Sequence, residues 1–344
     1  MVLLLPPSKT ASYRLFHDES GFTNDARYGV HGLLAVPQSS VRPLYEAIRR
    51  IREEHRYFGE LHYSQLATSR PERSAPWQTS NDILNLFCRY AFNEVKFKAF
   101  VVDFHHVDFD RNRYPKRKHA YRRFSITVAK SLIAWCLRGN TRVVLKAFTD
   151  AGNPSASWLR RDGDLFAKFH EYVSSECNRA KVKERKKFYP DVEFSHRLLA
   201  IPSSPSKCSE DAAFAAGCES LEEMQESCEF IQVVDLLCGC IQAALAVNAT
   251  NDGKVRLAEA LARTIAEQFD MPWHLAVRRS RCMSVSMFPG TGRMPYAISL
   301  SGIRALGINA MREDPQLAAK YGPKYGFRLD AVLPGQLTMD LRDS

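Results

Sequence analysis

A carboxylate inside an apolar helix constrains this chain more than any other feature. From Phe230 to Val247 the sequence is apolar on nearly every side of a helix, so the segment belongs in an interior. It nevertheless carries Gln232, Asp235 and Gln242. A charged side chain in such surroundings is costly unless it is paired or metal-bound. At about 100° per residue, Gln232, Asp235 and Gly239 share one face, while Ile231, Val234, Cys238, Ile241 and Leu245 gather on another. Gly239 would let a strand or a substrate approach closely. The helix is therefore expected to pack on a sheet, with Asp235 aimed at the strand ends.

Strands and helices alternate before it. Ser12 to His17 and Tyr28 to Val36 read as strands joined by a turn over Gly21 to Arg27, and Pro37 closes the second. Ser39 or Ser40 is suited to cap a helix with apolar positions Val41, Leu44, Tyr45, Ile48 and Ile51, which runs out in the charged stretch Arg49 to Arg56, read as a solvated face. Gly59 to Ser64 reads as a short extended segment and Leu66 to Gln78 as a loop. Ser80 or Asn81 would then cap a helix through Asn93. Val95 to Phe104 is a strand, Tyr121 to Leu137 a helix, Thr141 to Phe148 a strand and Trp158 to Cys177 an interrupted helix. Val192 to Ile201 is a late strand, and Leu257 to Phe269 a last amphipathic helix. With 344 residues, two domains or one decorated core are expected: a core over 1–250 and a helical or irregular extension over 251–344.

Acids fall at the ends of these strands. Asp18 closes the first, Asp150 closes the strand after the long helix, and Glu60 opens the short extended segment. Converging carboxylates raise one another's pKa unless a cation sits among them. Hard oxygen ligands suit Mg²⁺ or Mn²⁺, and two such ions can activate water and stabilise the leaving oxygen of a phosphoryl displacement. Asp103 also ends a strand and competes with Asp150 for third place; Asp150 is preferred because Ala151-Gly152 follows it. Glu19 is a further ligand or a holder of the turn, and Gln232 would orient a ligand or a water from behind. His17, one residue before Asp18, faces away from it on a strand.

Asp18-Glu19-Ser20-Gly21 after a strand, then Glu60-Leu-His-Tyr-Ser, then Gln232-Val-Val-Asp235-Leu-Leu-Cys-Gly239 resembles the family catalogued as domain of unknown function 3800 over roughly residues 12–250. That family shows a strand followed by D-E-S-G, a segment like E-I-K, a strand-end Asp and a helix with L-Q-x-A-D-L-x-x-G. The resemblance implies a ribonuclease H-like α/β core, a mixed sheet with helices on both faces, of a superfamily that cleaves phosphodiesters with two metals. It also makes a defence context conceivable. The sequence departs from the pattern where His62 replaces Lys, where Val234 replaces Ala, and where Glu226-Ser227-Cys228-Glu229 replaces an Asp-Ser-Lys.

Charge points to a polyanion. The chain holds 48 Lys plus Arg against 38 acids, a net charge of +10. Arg111, Arg113, Lys116, Arg117, Lys118, Arg122 and Arg123 form one cluster interleaved with Tyr114 and Tyr121, and Lys181, Lys183, Arg185, Lys186 and Lys187 lie in a second. Such clusters suit phosphate contact with base stacking. A third group is Arg278, Arg279 and Arg281. No phosphate-binding G-x-x-x-x-G-K-[ST] loop and no G-x-S-x-G elbow occurs. Nine cysteines without a C-x-x-C pair argue for reduced thiols rather than a disulfide framework or zinc knuckle. With no signal peptide expected from the short amino-terminal apolar run, the expectation is a cytoplasmic Mg²⁺- or Mn²⁺-dependent nuclease acting on DNA or RNA, away from membranes, with a partner protein or homo-oligomer left open. The rival readings are a non-catalytic nucleic-acid-binding module and an interaction subunit of a separate effector.

Overall fold

In the computed structural model the described residues are 10–22, 26, 28–66, 71–88, 94–105, 109, 114, 117–151, 164–183, 190–245, 252–270 and 282–288. In chain order they form β1 (Thr10–Ser20), β2 (Tyr28–Pro37), α1 (Gln38–Glu54), α2 (Ala75–Leu86), β3 (Lys96–Asp103), α3 (Arg117–Trp135), β4 (Arg142–Asp150) and α4 (Asp164–Lys183). Then come β5 (Asp191–Phe194), β6 (Leu199–Ile201), α5 (Glu210–Ala216), α6 (Leu221–Leu245), α7 (Asp252–Phe269) and β7 (Met283–Phe288).

The strands make one mixed sheet in the order β5-β4-β1-β2-β3-β7, with β6 also paired to β4. β1, β2 and β3 are antiparallel neighbours, whereas β4 runs parallel to β1 and β7 parallel to β3. Alternation along each strand supplies two apolar faces. Phe16, Leu34, Phe97 and Phe148 face a layer that includes Val41, Ile48, Leu84, Phe230 and Leu261 of α1, α2, α6 and α7. Leu15, Leu33, Phe100 and Leu145 face the other layer, which includes Phe124, Leu132 and Val173 of α3 and α4. Helices thus cover both faces. Phe16 stacks on Phe148 at 5.5 Å and on Phe230 at 4.8 Å, pinning α6 over β1 and β4.

α6 is long and apolar enough to cross a membrane by composition alone, but 89% of its most apolar window is buried against the sheet and its helical neighbours. All nine cysteines are free thiols.

Several expectations need correction. β1 continues through Ser20, so Asp18 lies within the strand rather than closing it. α1 starts directly after Pro37 with no side-chain cap; the Ser40 hydroxyl instead donates to Glu94 Oε2 at 2.5 Å. α2 begins at Ala75, because Pro76 in its first turn favours helix where it had been read as a loop signal. The late strand is two: β5 pairs with Arg142 to Leu145 of β4, and β6 pairs with Phe148 to Asp150 further along. The Gly59 to Ser64 segment is irregular and ends in a single 3₁₀ turn at Tyr63–Gln65. Of the residues past 250, those described are mainly α7, which packs on α6, and β7, which adds a strand to the sheet; the rest of the extension expected over 251–344 lies outside the described residues.

Candidate functional site

Strand alternation decides which acids meet. Along β1, Phe16, Asp18 and Ser20 point toward α6, while Leu15, His17 and Glu19 point toward α3. The parallel register sets Phe16 beside Phe148 and His17 beside Thr149, so Asp150 comes next to Asp18 on the adjoining strand. α6 crosses above them and delivers Asp235. Its Gln242, two turns on, accepts from the Ser20 hydroxyl at 2.6 Å and donates to the Tyr28 carbonyl at 3.4 Å, which ties the strand end to the helix. Gly21 completes this corner at φ +72°, where a Cβ would lie 2.2 Å from both Gln242 Nε2 and the Tyr28 carbonyl.

The carboxylates sense one another. Burial pushes the Asp18 carboxyl well above the usual range, and the charges of Asp235, Glu19 and Asp150 push it further, against a hydrogen bond from the Glu19 amide at 2.8 Å. Asp235 is raised by burial as well. His62 and the Tyr63 N–H, which donates to Asp235 Oδ2 at 2.7 Å, hold it down, and Asp150 and Glu60 push it up. Asp150 thus acts on both Asp18 and Asp235, and Glu60 on Asp235, so charge from two strands, a helix and a loop meets here.

The loop is held by a network that the sequence reading missed. Arg52 is 1% exposed, although it sits in the charged stretch read as a solvated face. It donates to Glu229 Oε2 at 3.0 and 2.7 Å, to Gln232 Oε1 at 2.9 Å, and to the carbonyls of Tyr57 and Gly59 at 3.2 and 2.9 Å. Gln232 Oε1 also accepts from the Leu61 amide at 2.6 Å, and its Nε2 donates to the Ser203 carbonyl at 2.8 Å. The Ser203 hydroxyl closes the circuit by donating to Glu60 Oε1 at 2.9 Å. Gln232 therefore holds the Leu61 side of Glu60 directly, while Arg52, from which it accepts, holds the Gly59 side. At Gly239 the close neighbour is neither the strand nor the substrate expected but the Tyr63 ring, from which a Cβ there would lie 2.1 Å. His62 Nδ1 stands 3.4 Å from Asp235 Oδ2, with its ring part exposed.

Two other candidates fall elsewhere. Asp103 ends β3, two strands from β1, where its Oδ1 accepts from the His105 amide at 3.0 Å; Asp150 is the strand-end acid whose charge acts on Asp18 and Asp235. Glu19 lies on the opposite face from Asp18, where it accepts from the Tyr121 hydroxyl at 2.9 Å. His17 faces away from Asp18, as expected, and hydrogen-bonds with Thr149 Oγ1 at 3.1 Å.

Of the basic residues, Arg122 and Arg123 are on α3, where Arg122 lies over the Tyr172 ring of α4 at 4.8 Å. Arg117, Lys118, Lys181 and Lys183 fall in helical backbone with undescribed side chains. Arg111, Arg113, Lys116, Arg185, Lys186, Lys187, Arg278, Arg279 and Arg281 lie outside the described residues.

Asp18 and Asp235, whose burial disfavours ionisation, are donors of the kind that suit hard divalent cations, which replace lost solvation and cancel repulsion, but no three of the four acids bring ligand atoms within 4.8 Å of one another. On the other face, His17, Glu19 and His31 each offer one ligand atom within 4.8 Å of the others, so that cluster can also hold a metal ion. No family model, no curated protein and no solved structure matches the chain.

Proposed function

We propose that the chain is a divalent-metal-dependent nuclease with a ribonuclease H-like core, akin to the family of domain of unknown function 3800. The observation that carries this reading is that Asp18 and Asp235 are buried close to other acids, Asp235 and Asp150 acting on Asp18, and Asp150 and Glu60 on Asp235. The arrangement of the sheet supports it: the acid-bearing strands β1 and β4 are parallel neighbours, and the helix above them brings a third acid.

In this reading Asp18, Asp150, Asp235 and Glu60 would hold two ions, Mg²⁺ or Mn²⁺. Bound ions would supply an activated water and stabilise the departing oxygen of a phosphodiester. The chain's own part is positional. Arg52, Gln232 and Ser203 fix the Glu60 loop, the Tyr63 amide orients Asp235, and His62 offers a part-exposed imidazole beside it. The net charge of +10 favours a polyanionic substrate.

Radiolabelled DNA and RNA incubated with the chain and Mg²⁺ or Mn²⁺ should be cleaved, and a chelator should stop the reaction. Asp235→Asn should lower the rate by at least about 100-fold. Binding without cleavage, insensitive to Mg²⁺ and unchanged by Asp18→Ala, would support a non-catalytic module instead.

A further inference from the structure

We propose that His17, His31 and Glu19 form a second metal site, buried on the sheet face opposite the four acids and suited to a borderline transition-metal cation of the Zn²⁺ class. The inference does not depend on the nuclease reading. The register builds the site: Glu19 and His31 are direct cross-strand partners on β1 and β2, and His17 stands two residues before Glu19 on the same face. One ligand atom from each of the three lies within 4.8 Å of the other two. His17 Nε2 is 3.2 Å from His31 Nδ1, and His17 Nδ1 is 4.0 Å from Glu19 Oε2.

The surroundings favour a cation over a purely organic network. His31 is fully buried, and its Nε2 has no hydrogen-bond partner. A buried ring atom without a partner is costly, and a cation bound through that atom would remove the cost. The hydroxyls of Thr149 and Tyr121 border the cluster, at 3.1 Å from His17 Nδ1 and 2.9 Å from Glu19 Oε2, where they orient the ring and the carboxylate as outer partners of metal ligands do. Two imidazoles and one carboxylate suit Zn²⁺, Fe²⁺ or Co²⁺, whereas the all-oxygen set across the sheet suits Mg²⁺ or Mn²⁺. A cation here would also offset the repulsion that Glu19 exerts on Asp18 through the strand.

The test is the metal content of the full chain by mass spectrometry after dialysis against a chelator, with and without refolding in Co²⁺. Wild type and Asp235→Asn should each retain about one transition-metal equivalent, and their Co²⁺ forms should show the absorption of nitrogen-ligated Co²⁺. His31→Phe, which suits the aromatic contacts of His31 with Phe22 and Tyr121, and His17→Gln should each retain at least about tenfold less. Metal-free wild type that takes up no Co²⁺ would overturn the proposal, as would His31→Phe with undiminished metal. Should both variants misfold, the comparison of wild type with Asp235→Asn decides: retention in both supports the site, and loss in Asp235→Asn assigns the metal to the acids and overturns it.

Discussion

Asp18 shows what a single buried carboxyl does to this protein. Its folded pKa is raised, so in metal-free protein it keeps its proton at pH values where the unfolded chain has released it. The stability linked to this group is fully present below the ordinary carboxylate pKa and is lost as pH rises toward the folded value. Asp18→Asn is accordingly expected to stabilise the metal-free chain at pH ~7 by on the order of 1–3 kcal/mol, with the gain vanishing near pH ~4. Thermal unfolding across that pH range measures it. In saturating Mn²⁺ the sign should reverse, because an ion that binds only the folded state stabilises wild type and not the variant. His17 adds the opposite trend. Its pKa is lowered to about 4 by burial, so a share of stability is lost as pH falls from ~6.5 toward that value.

At the scale of elements, the site depends on a loop that carries little regular structure of its own. The clamp from α1 compensates. Arg52→Met removes donors to Glu229, Gln232 and two carbonyls and leaves Glu229, already pushed up by burial, without its guanidinium. A loss of about 3–5 kcal/mol in denaturant unfolding is expected, and adding Glu229→Gln should recover part of it. Gly239→Ala would force the Tyr63 ring away from α6. A cost of about 1–3 kcal/mol is expected, together with weaker Mn²⁺ binding by calorimetry, because the Tyr63 amide would leave Asp235.

These elements also mark where the sequence was legible. β-prone runs located β1 to β4 and merged β5 with β6, and the all-round apolar character of α6 placed it in the interior with Asp235 inward. Arg52 escaped because a run of charges was weighed as a block; its spacing from Val41, Tyr45 and Ile48 puts it on the buried helical face. Gln232 was read for its neighbour Asp235, yet it is held by the Leu61 amide 171 residues away and by Arg52. Glu19 was misplaced because Asp18 had been taken to end the strand; inside a strand, adjacent residues must face opposite sides. His31 gave no signal, since its pairing with Glu19 depends on a register that only the folded sheet sets.

For the described residues, two helical layers enclose the sheet, with Asp18 and Asp150 on the adjoining strands β1 and β4 and Asp235 on the helix above them. A polyanion reaching them would meet a protein of net charge +10. If the basic clusters engage it, the logarithm of DNA or RNA affinity should fall with the logarithm of salt by close to one unit per phosphate neutralised. A flat salt titration would remove those clusters from the interface. The central claim is that four carboxylates from distant segments share one cation site, and a Mn²⁺-soaked crystal measures this most directly. Two anomalous peaks ~4 Å apart, in contact with oxygens of Asp18, Asp150, Asp235 and Glu60, are the expected result. Peaks elsewhere, or none at saturating Mn²⁺, would contradict it.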